Sequence, residues 1–522
     1  MSSFPMPTSM HVPDSLRRAA AADPHAPAIV GETWTVSYAM LHTAACVLAT
    51  QLAEVAPAGT VAVMMPKSAL AVAALHGVLM SGRAYLPIAA TLPLPRLTAL
   101  LREAQVAAVL VDASDPFATG ARLPVPLHCI AVDESIFLAN ATIPPARAIT
   151  DDTAACVLAT AGPGDEAQAA VICHGNLRAH AAAAVGTFRI TPQDRVASHA
   201  TFDSDLHFLD LYAACLARAA VVLVPTQVAD DGAALLQFVA RRQVTLWHSR
   251  ASTLPVLAQA LQHTERQRLS GLRALLCARE RAPTQALLQV LRACPWVRAY
   301  NLYGCAETHH SLVHELPRSG ELTPPLPIGT ALPGMHCLLL GDDGLAVPAG
   351  EPGTLWIAGD GLMRGYLDSA TDHRVMRTLA GPEGAPRRWF RTGDRAELLR
   401  NGALHLIGRA DSVVRSQGHR VDLGDIEAQV ASHAALAEAG VIALPEGEPQ
   451  AGYRVVAVVR RARGARVNSV ELKVYCARRM PSHMVPQQFH FVDGPLPKNG
   501  QGQVDRLALQ RRFDTRATPQ EP

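Results

Sequence analysis

Lysine is almost missing from this chain of 522 residues: only Lys67, Lys473 and Lys498 occur, and residues 68–472 contain none. Chemistry that needs an ammonium charge within that span must find it elsewhere. Arginine carries most of the positive charge, and 47 Lys+Arg against 45 Asp+Glu leave a net charge of +2. That balance gives no general attraction to nucleic acid or to a membrane surface. There is no Cys-x-x-Cys pair among the ten cysteines (46, 129, 156, 173, 215, 277, 294, 305, 337 and 476). They read as small core residues in a reducing compartment, not as a disulfide or zinc framework. The N-terminus lacks the basic-then-apolar order of a leader, and the early apolar run SALAVAALHGVLM is too short to span a bilayer. These absences point to a cytoplasmic protein with neither a nucleic-acid nor a membrane partner.

What is present is a long alternation of strand-like and helix-like segments. The β-branched runs TVAVMM (60–65), AAVLVD (107–112), LHCIAVD (127–133), VVLVP (221–225), VTLW (244–247) and ALLCA (274–278) are separated by alanine-rich helical stretches. That pattern predicts α/β layers with largely parallel sheets. Beyond residue 320 proline and glycine thicken, as in ELTPPLPIGTALPG, which predicts a turn-rich antiparallel region. From residue 412 a helix in LGDIEAQVASHAAL, a strand in YRVVAVVR and a helix in SVELKVYCARRM suggest a small α+β unit joined near GRADS. The expected fold is α/β: a large N-terminal domain (1–410) of α/β layers with a β-rich subdomain, and a small mobile C-terminal α+β domain (411–522).

The stretch ATAGPGDEAQAAVICHG (159–175) lies between the strand AACVLA and a helical segment. Small, glycine-bearing loops there let backbone N–H groups face an anion. Yet this loop has no lysine, no serine and a single threonine.

Later segments give the loop a context. NLYGCAETHHS (301–311), GEPGTLWIAGDGLMRGYL (350–367), WFRTGDRAEL (389–398) and GRADSVVRSQGHRVDLGDIEAQV (408–430), with LMSGRAYLPI (79–88) and PLPKNGQGQVDR (495–506), resemble the core motifs of the adenylate-forming superfamily. The likeness is strongest to the amino-acid adenylation domains of nonribosomal peptide synthetases and covers nearly the whole chain. It implies two-step activation of a carboxylate: ATP yields an acyl-adenylate, and the small domain then turns to pass the acyl group to a thiol.

The resemblance assigns roles to residues. Tyr303 would stack on adenine beside Gly304, Glu307 would help hold Mg²⁺, and Asp394 would grip the ribose hydroxyls. Arg409 would serve the ribose and phosphate side. Gly162 and Gly164 belong to the phosphate loop, Asp411 would be the hinge, and Gly418 would lie where the thiol arm approaches. Asp203 occupies the position that pairs with a substrate's α-amino group, so an amino acid is the expected substrate. Ser204, His207, His248, Leu276, Ala278, Leu302, His310 and Ser311 would line the rest of the pocket. Three histidines there suggest a polar or acidic ligand, against the simpler reading of His207 and His310 as hydrogen-bonded core residues. The His309–His310 pair is read as a helix start after the turn.

Departures from the family pattern cluster at the phosphates. The loop lysine falls on Gln168, or on Ala167 if counted from Asp151–Asp152, the α-phosphate threonine falls on Ala306 with Cys305 replacing proline, and the C-terminal lysine falls on Gln503. Two expectations follow. Either the chain is a free-standing ATP/AMP- and Mg²⁺-dependent enzyme that activates an amino acid and loads a carrier-protein phosphopantetheine in trans, or CoA, in natural-product biosynthesis. Or it binds or transfers an acyl thioester on the same scaffold without adenylating.

Overall fold

The computed structural model describes residues 10–513 apart from 56–57, 90–91, 93, 119–124, 141–147, 162–166, 230, 263–268, 279–282, 318–321, 323–325, 382–383, 410–412, 417–418, 446–452 and 499–503. Gly162, Gly164, Asp411, Gly418 and Gln503 therefore lie outside the described residues.

Among the described residues the largest sheet has nine strands in the order Thr330–Ala331, Leu312–Glu315, Arg298–Tyr303, Ala274–Ala278, Leu246–Arg250, Arg195–Ser198, Ala220–Leu223, Pro27–Val30 and Thr35–Ser37. The pairings from Arg298–Tyr303 through to Pro27–Val30 are parallel. A second, seven-stranded sheet contains Thr60–Met64, Val106–Asp112 and the antiparallel hairpin Ala154–Ala161/Ala167–Cys173. Strands such as ALLCA are buried at every residue because helices cover both faces. Helices Val12–Ala22, Tyr38–Val55, Ala69–Met80 and His174–Phe188 contribute to one continuous core with residues of both sheets. Ala69–Met80 is apolar all round and buried over Ala69–Leu79, as suits a helix enclosed by protein, and the Ser68 hydroxyl caps it by accepting from Ala71 N at 3.2 Å.

The proline- and glycine-rich region forms the expected antiparallel sheet, from Met335–Leu340 to Leu404–Arg409. Beyond it, strands Leu436–Pro445, Tyr453–Arg461 and Gln488–Val492 pack with helices Leu423–Ala431 and Ser469–Ala477 around a core of their own. The protein thus has a large N-terminal domain of mixed α/β layers and a smaller C-terminal domain. Most cysteines are buried as expected, but Cys129 is exposed, and Cys305 and Cys337 are half-buried.

One strand is displaced from its expected place. VTLW becomes Leu246–Arg250, because Val244 N bonds back to Val239 O and the Thr245 hydroxyl donates to Asp194 at 2.6 Å. The shift carries His248 into the middle of the strand.

Asp194 ties the starts of three neighbouring strands together. It also accepts from Thr191 N and from Arg273 Nε and Nη2, each at 2.8 Å. Burial alone would raise its pKa, but the bonds from Arg273, Thr245 and Thr191 outweigh that and hold it below the usual carboxylate range. Asp194→Ala is expected to cost about 3 kcal/mol in urea unfolding, since it strands a partly buried guanidinium. A depressed folded pKa means the contribution is complete above the unfolded carboxylate value of about 3.9 and is lost as pH falls through the folded value. Wild type should therefore lose stability more steeply than Asp194→Ala below about pH 4.

Candidate active site

Several expected pocket residues meet at the carboxyl ends of the parallel strands, where open α/β sheets place their ligands. His248 is in register with Leu276, which pairs in turn with Tyr300, and Ala278 is in register with Leu302. The turn after Arg195–Ser198 carries Asp203 and Ser204, and leads into a buried π-helix, Phe208–Ala213. Asp203 is half-buried as a residue, yet its Oδ1 is buried and has no hydrogen-bond partner among the described residues.

The chain returns to this region through the turn after Tyr303. A β-carbon on Gly304 would lie 1.5 Å from His309 O, so the two backbones touch. His309 takes φ +53°, in the left-handed region. Ser311 N then donates to Tyr303 O at 2.8 Å and its hydroxyl to Thr308 O at 3.0 Å. The helix expected at His309–His310 is replaced by this turn and the strand Leu312–Glu315, because the backbone is committed to the neighbouring strand.

On one side of the turn, the Tyr303 hydroxyl donates to Asp394, and Arg409 Nη1 stands 3.8 Å from the same carboxylate. Asp394 and Arg409 face each other across adjacent antiparallel strands. Burial first, and then the negative charge of Asp394, hold the Tyr303 phenol protonated, with its pKa well above the ordinary value. On the other side, buried Glu307 accepts from the Tyr366 hydroxyl at 2.8 Å, leaving carboxylate lone pairs for a cation. Gln168 is buried opposite Thr160 near the tip of its hairpin, and Ala306 is buried in the turn. Lys498 is held within the C-terminal domain by Glu438 at 3.2 Å, which also takes Arg460 Nε at 2.9 Å.

The histidines fall into two groups. His207 is sealed in the core: Nδ1 donates to Ser204 O at 2.6 Å, and Nε2 lies 2.8 Å from the Tyr85 hydroxyl, which Tyr212 supports at 2.7 Å. Burial lowers its pKa to about 3, so it is neutral. Both ring nitrogens are engaged, as the core-histidine reading expects. His248 and His310 form the other group, with Nε2 to Nε2 at 3.1 Å, and His248 Nδ1 is 2.7 Å from Asp210 Oδ1. The ring of His180 packs against His309 and His310. Among the described residues no group of three or more His, Cys, Asp or Glu could hold a metal ion.

Sequence reasoning passed over Asp210, Tyr366 and Lys67. Lys67 Nζ donates to Ser198 O at 3.2 Å and His199 O at 2.8 Å, steadying the segment that delivers Asp203. Burial lowers its pKa to about 8, against the opposing pull of Asp210. Its position as the first lysine, followed by none before residue 473, was an available signal.

Comparison with known proteins shows the family of the chain. Residues 16–367 match the AMP-binding enzyme family and residues 425–503 match the AMP-binding enzyme C-terminal domain. The chain belongs to the AMP-binding enzyme family. It is 30% identical over 531 residues to a phenyloxazoline synthase of Mycobacterium sp. (strain MCS), covering 98% of this chain and 43% of that protein's length. It is 29% identical over 465 residues to an L-proline–[L-prolyl-carrier protein] ligase of Pseudomonas fluorescens, covering 86% and 88%. Among solved structures, o-succinylbenzoate coenzyme A synthetase of Bacillus subtilis with ATP and magnesium ion superposes with a TM-score of 0.80 at 23% identity over 95% and 98% of the chains. A four-domain nonribosomal peptide synthetase bound to AMP and glycine also gives 0.80 at 23% identity, covering 99% of this chain and 37% of that one.

Gly304→Ala is expected to cost on the order of 3 kcal/mol through backbone overpacking, measured as a lowered Tm. Gly186→Ala serves as the contrast. A β-carbon there, inside the helix His174–Phe188, meets nothing within 4 Å, so a gain of roughly 0.5–1 kcal/mol is expected.

Proposed function

We propose that this protein is an ATP-dependent amino-acid ligase that forms an aminoacyl-AMP and transfers the aminoacyl group to a carrier-protein phosphopantetheine thiol supplied in trans. The observation that carries the amino-acid reading is the buried Asp203 Oδ1 with no partner among the described residues. A buried carboxylate oxygen without a partner is costly, and a substrate ammonium group would satisfy it. Leu276, in register with His248, and Ala278, in register with Leu302, would frame the substrate side chain together with His310 and Ser311, with Ser204 next to Asp203. The similarity to a prolyl-carrier protein ligase over most of both chains supports the carrier-loading half of the reading.

Within this reading the Tyr303–Asp394–Arg409 group receives the nucleoside: a phenol face for adenine, a carboxylate to accept ribose hydroxyls, and a guanidinium toward phosphate. Glu307, held by Tyr366, fits Mg²⁺, an ion that usually takes one or two protein carboxylates, keeps several waters and neutralises phosphate charge when bound. The chain divides at 410/411, with Asp411 as the hinge and Gly418 on the thiol side. Gln168, Ala306 and Gln503 leave the phosphates with few side-chain cations, so backbone N–H groups of the 159–175 loop, glycines 162 and 164 among them, carry more of that load.

ATP–pyrophosphate exchange across the proteinogenic amino acids tests the proposal. Exchange with a defined amino acid is expected, and Asp203→Ala should lower kcat/KM for it by roughly a hundredfold, as removal of one partner of a buried charge pair does. Gln168→Lys and Gln503→Lys should each raise the exchange rate by restoring a charged phosphate contact. Exchange with none of the amino acids, from folded protein that binds an aminoacyl thioester, would instead establish the non-adenylating reading.

A further inference from the structure

We propose that Asp210 is a positioning residue for substrate selection: it fixes the tautomer and orientation of His248, and through it those of His310. The inference rests on the amino-acid reading of the pocket. The π-helix Phe208–Ala213 brings Asp210 to the strand Leu246–Arg250, where it is fully buried and its Oδ1 lies 2.7 Å from His248 Nδ1. π-Helical turns are rare and are found most often at functional sites.

The proton positions follow from the partners. A carboxylate oxygen can only accept, so His248 Nδ1 donates to Asp210 Oδ1. An imidazolium at His248 would add a further charge in a buried place. In its neutral form His248 carries its one ring proton on Nδ1, donated to Asp210, and its Nε2 offers a lone pair. His310 Nε2, 3.1 Å away, must then carry the proton of that contact. One carboxylate thus determines what both pocket histidines present, in the way a second partner sets the tautomer of a working histidine elsewhere. Asp210 does not need to touch the substrate to affect which side chain is accepted.

The test uses the full chain labelled with ¹⁵N-histidine. In wild type the His248 resonances, assigned by their loss in His248→Gln, are expected to report the neutral Nδ1–H tautomer. Asp210→Asn should abolish that tautomer preference while circular dichroism and Tm stay near wild type. With the amino acid giving the fastest exchange, Asp210→Asn is expected to raise KM roughly ten- to a hundredfold, the range for a lost hydrogen bond to a charged group. The change in kcat should stay within about threefold. In a His248→Gln background the same substitution should add almost nothing, because its effect passes through His248. A wild-type Nε2–H tautomer at His248, an unchanged KM in Asp210→Asn, or full additivity would each overturn the proposal. Should Asp210→Asn fail to fold, the wild-type tautomer decides it. Absence of exchange in wild type would overturn the ligase reading, and the tautomer measurement would still decide the role of Asp210.

Discussion

The site depends on the backbone contact between Gly304 and His309. Because no β-carbon stands at 304, the carbonyl of His309 can occupy that space, and the chain reverses within a few residues of the strand Arg298–Tyr303. That reversal sets Glu307 against Tyr366, returns Ser311 to Tyr303, and brings His310 to His248. A wider turn would separate Tyr303 from Glu307 and from His310. The left-handed backbone at His309 is the conformational cost of the arrangement, offset by the strand pairing that follows.

Around that turn the protein separates neutral from charged polar groups by burial. His207 is saturated by protein partners and held neutral, whereas Asp203 retains a buried oxygen that none of the described residues satisfies. The difference between them is the basis for treating one as scaffold and the other as a ligand contact. Lys67 and Asp210 bring opposite charges into the same region. Scarcity of lysine elsewhere in the chain makes Lys67 more conspicuous.

Much of the fold was legible from patterning. Short β-branched runs between alanine-rich helices do form parallel strands, and the proline- and glycine-rich region does form an antiparallel sheet. The displaced strand at 246–250 and the missing helix at 309–310 share a cause. In both, side-chain or backbone partners distant in sequence claimed the groups that local propensity would have used. Family-like motifs located Tyr303, Glu307, Asp394 and Arg409, because each lies in a contiguous segment whose order carries information. Asp210, Tyr366 and Lys67 drew no role, since each acts through a partner dozens to more than a hundred positions away.

The sequence by itself determined the class of the fold, the order of its large and small parts and the scarcity of lysine. Those features reside in periodicity and in short motifs, which a linear chain displays directly. Only the tertiary structure decided which histidine is scaffold and which belongs to a pocket, that Lys498 is tied to Glu438, and that Asp210 stands behind His248. Such outcomes depend on burial and on hydrogen-bond partners from separate strands and helices, and those exist only once the layers have packed.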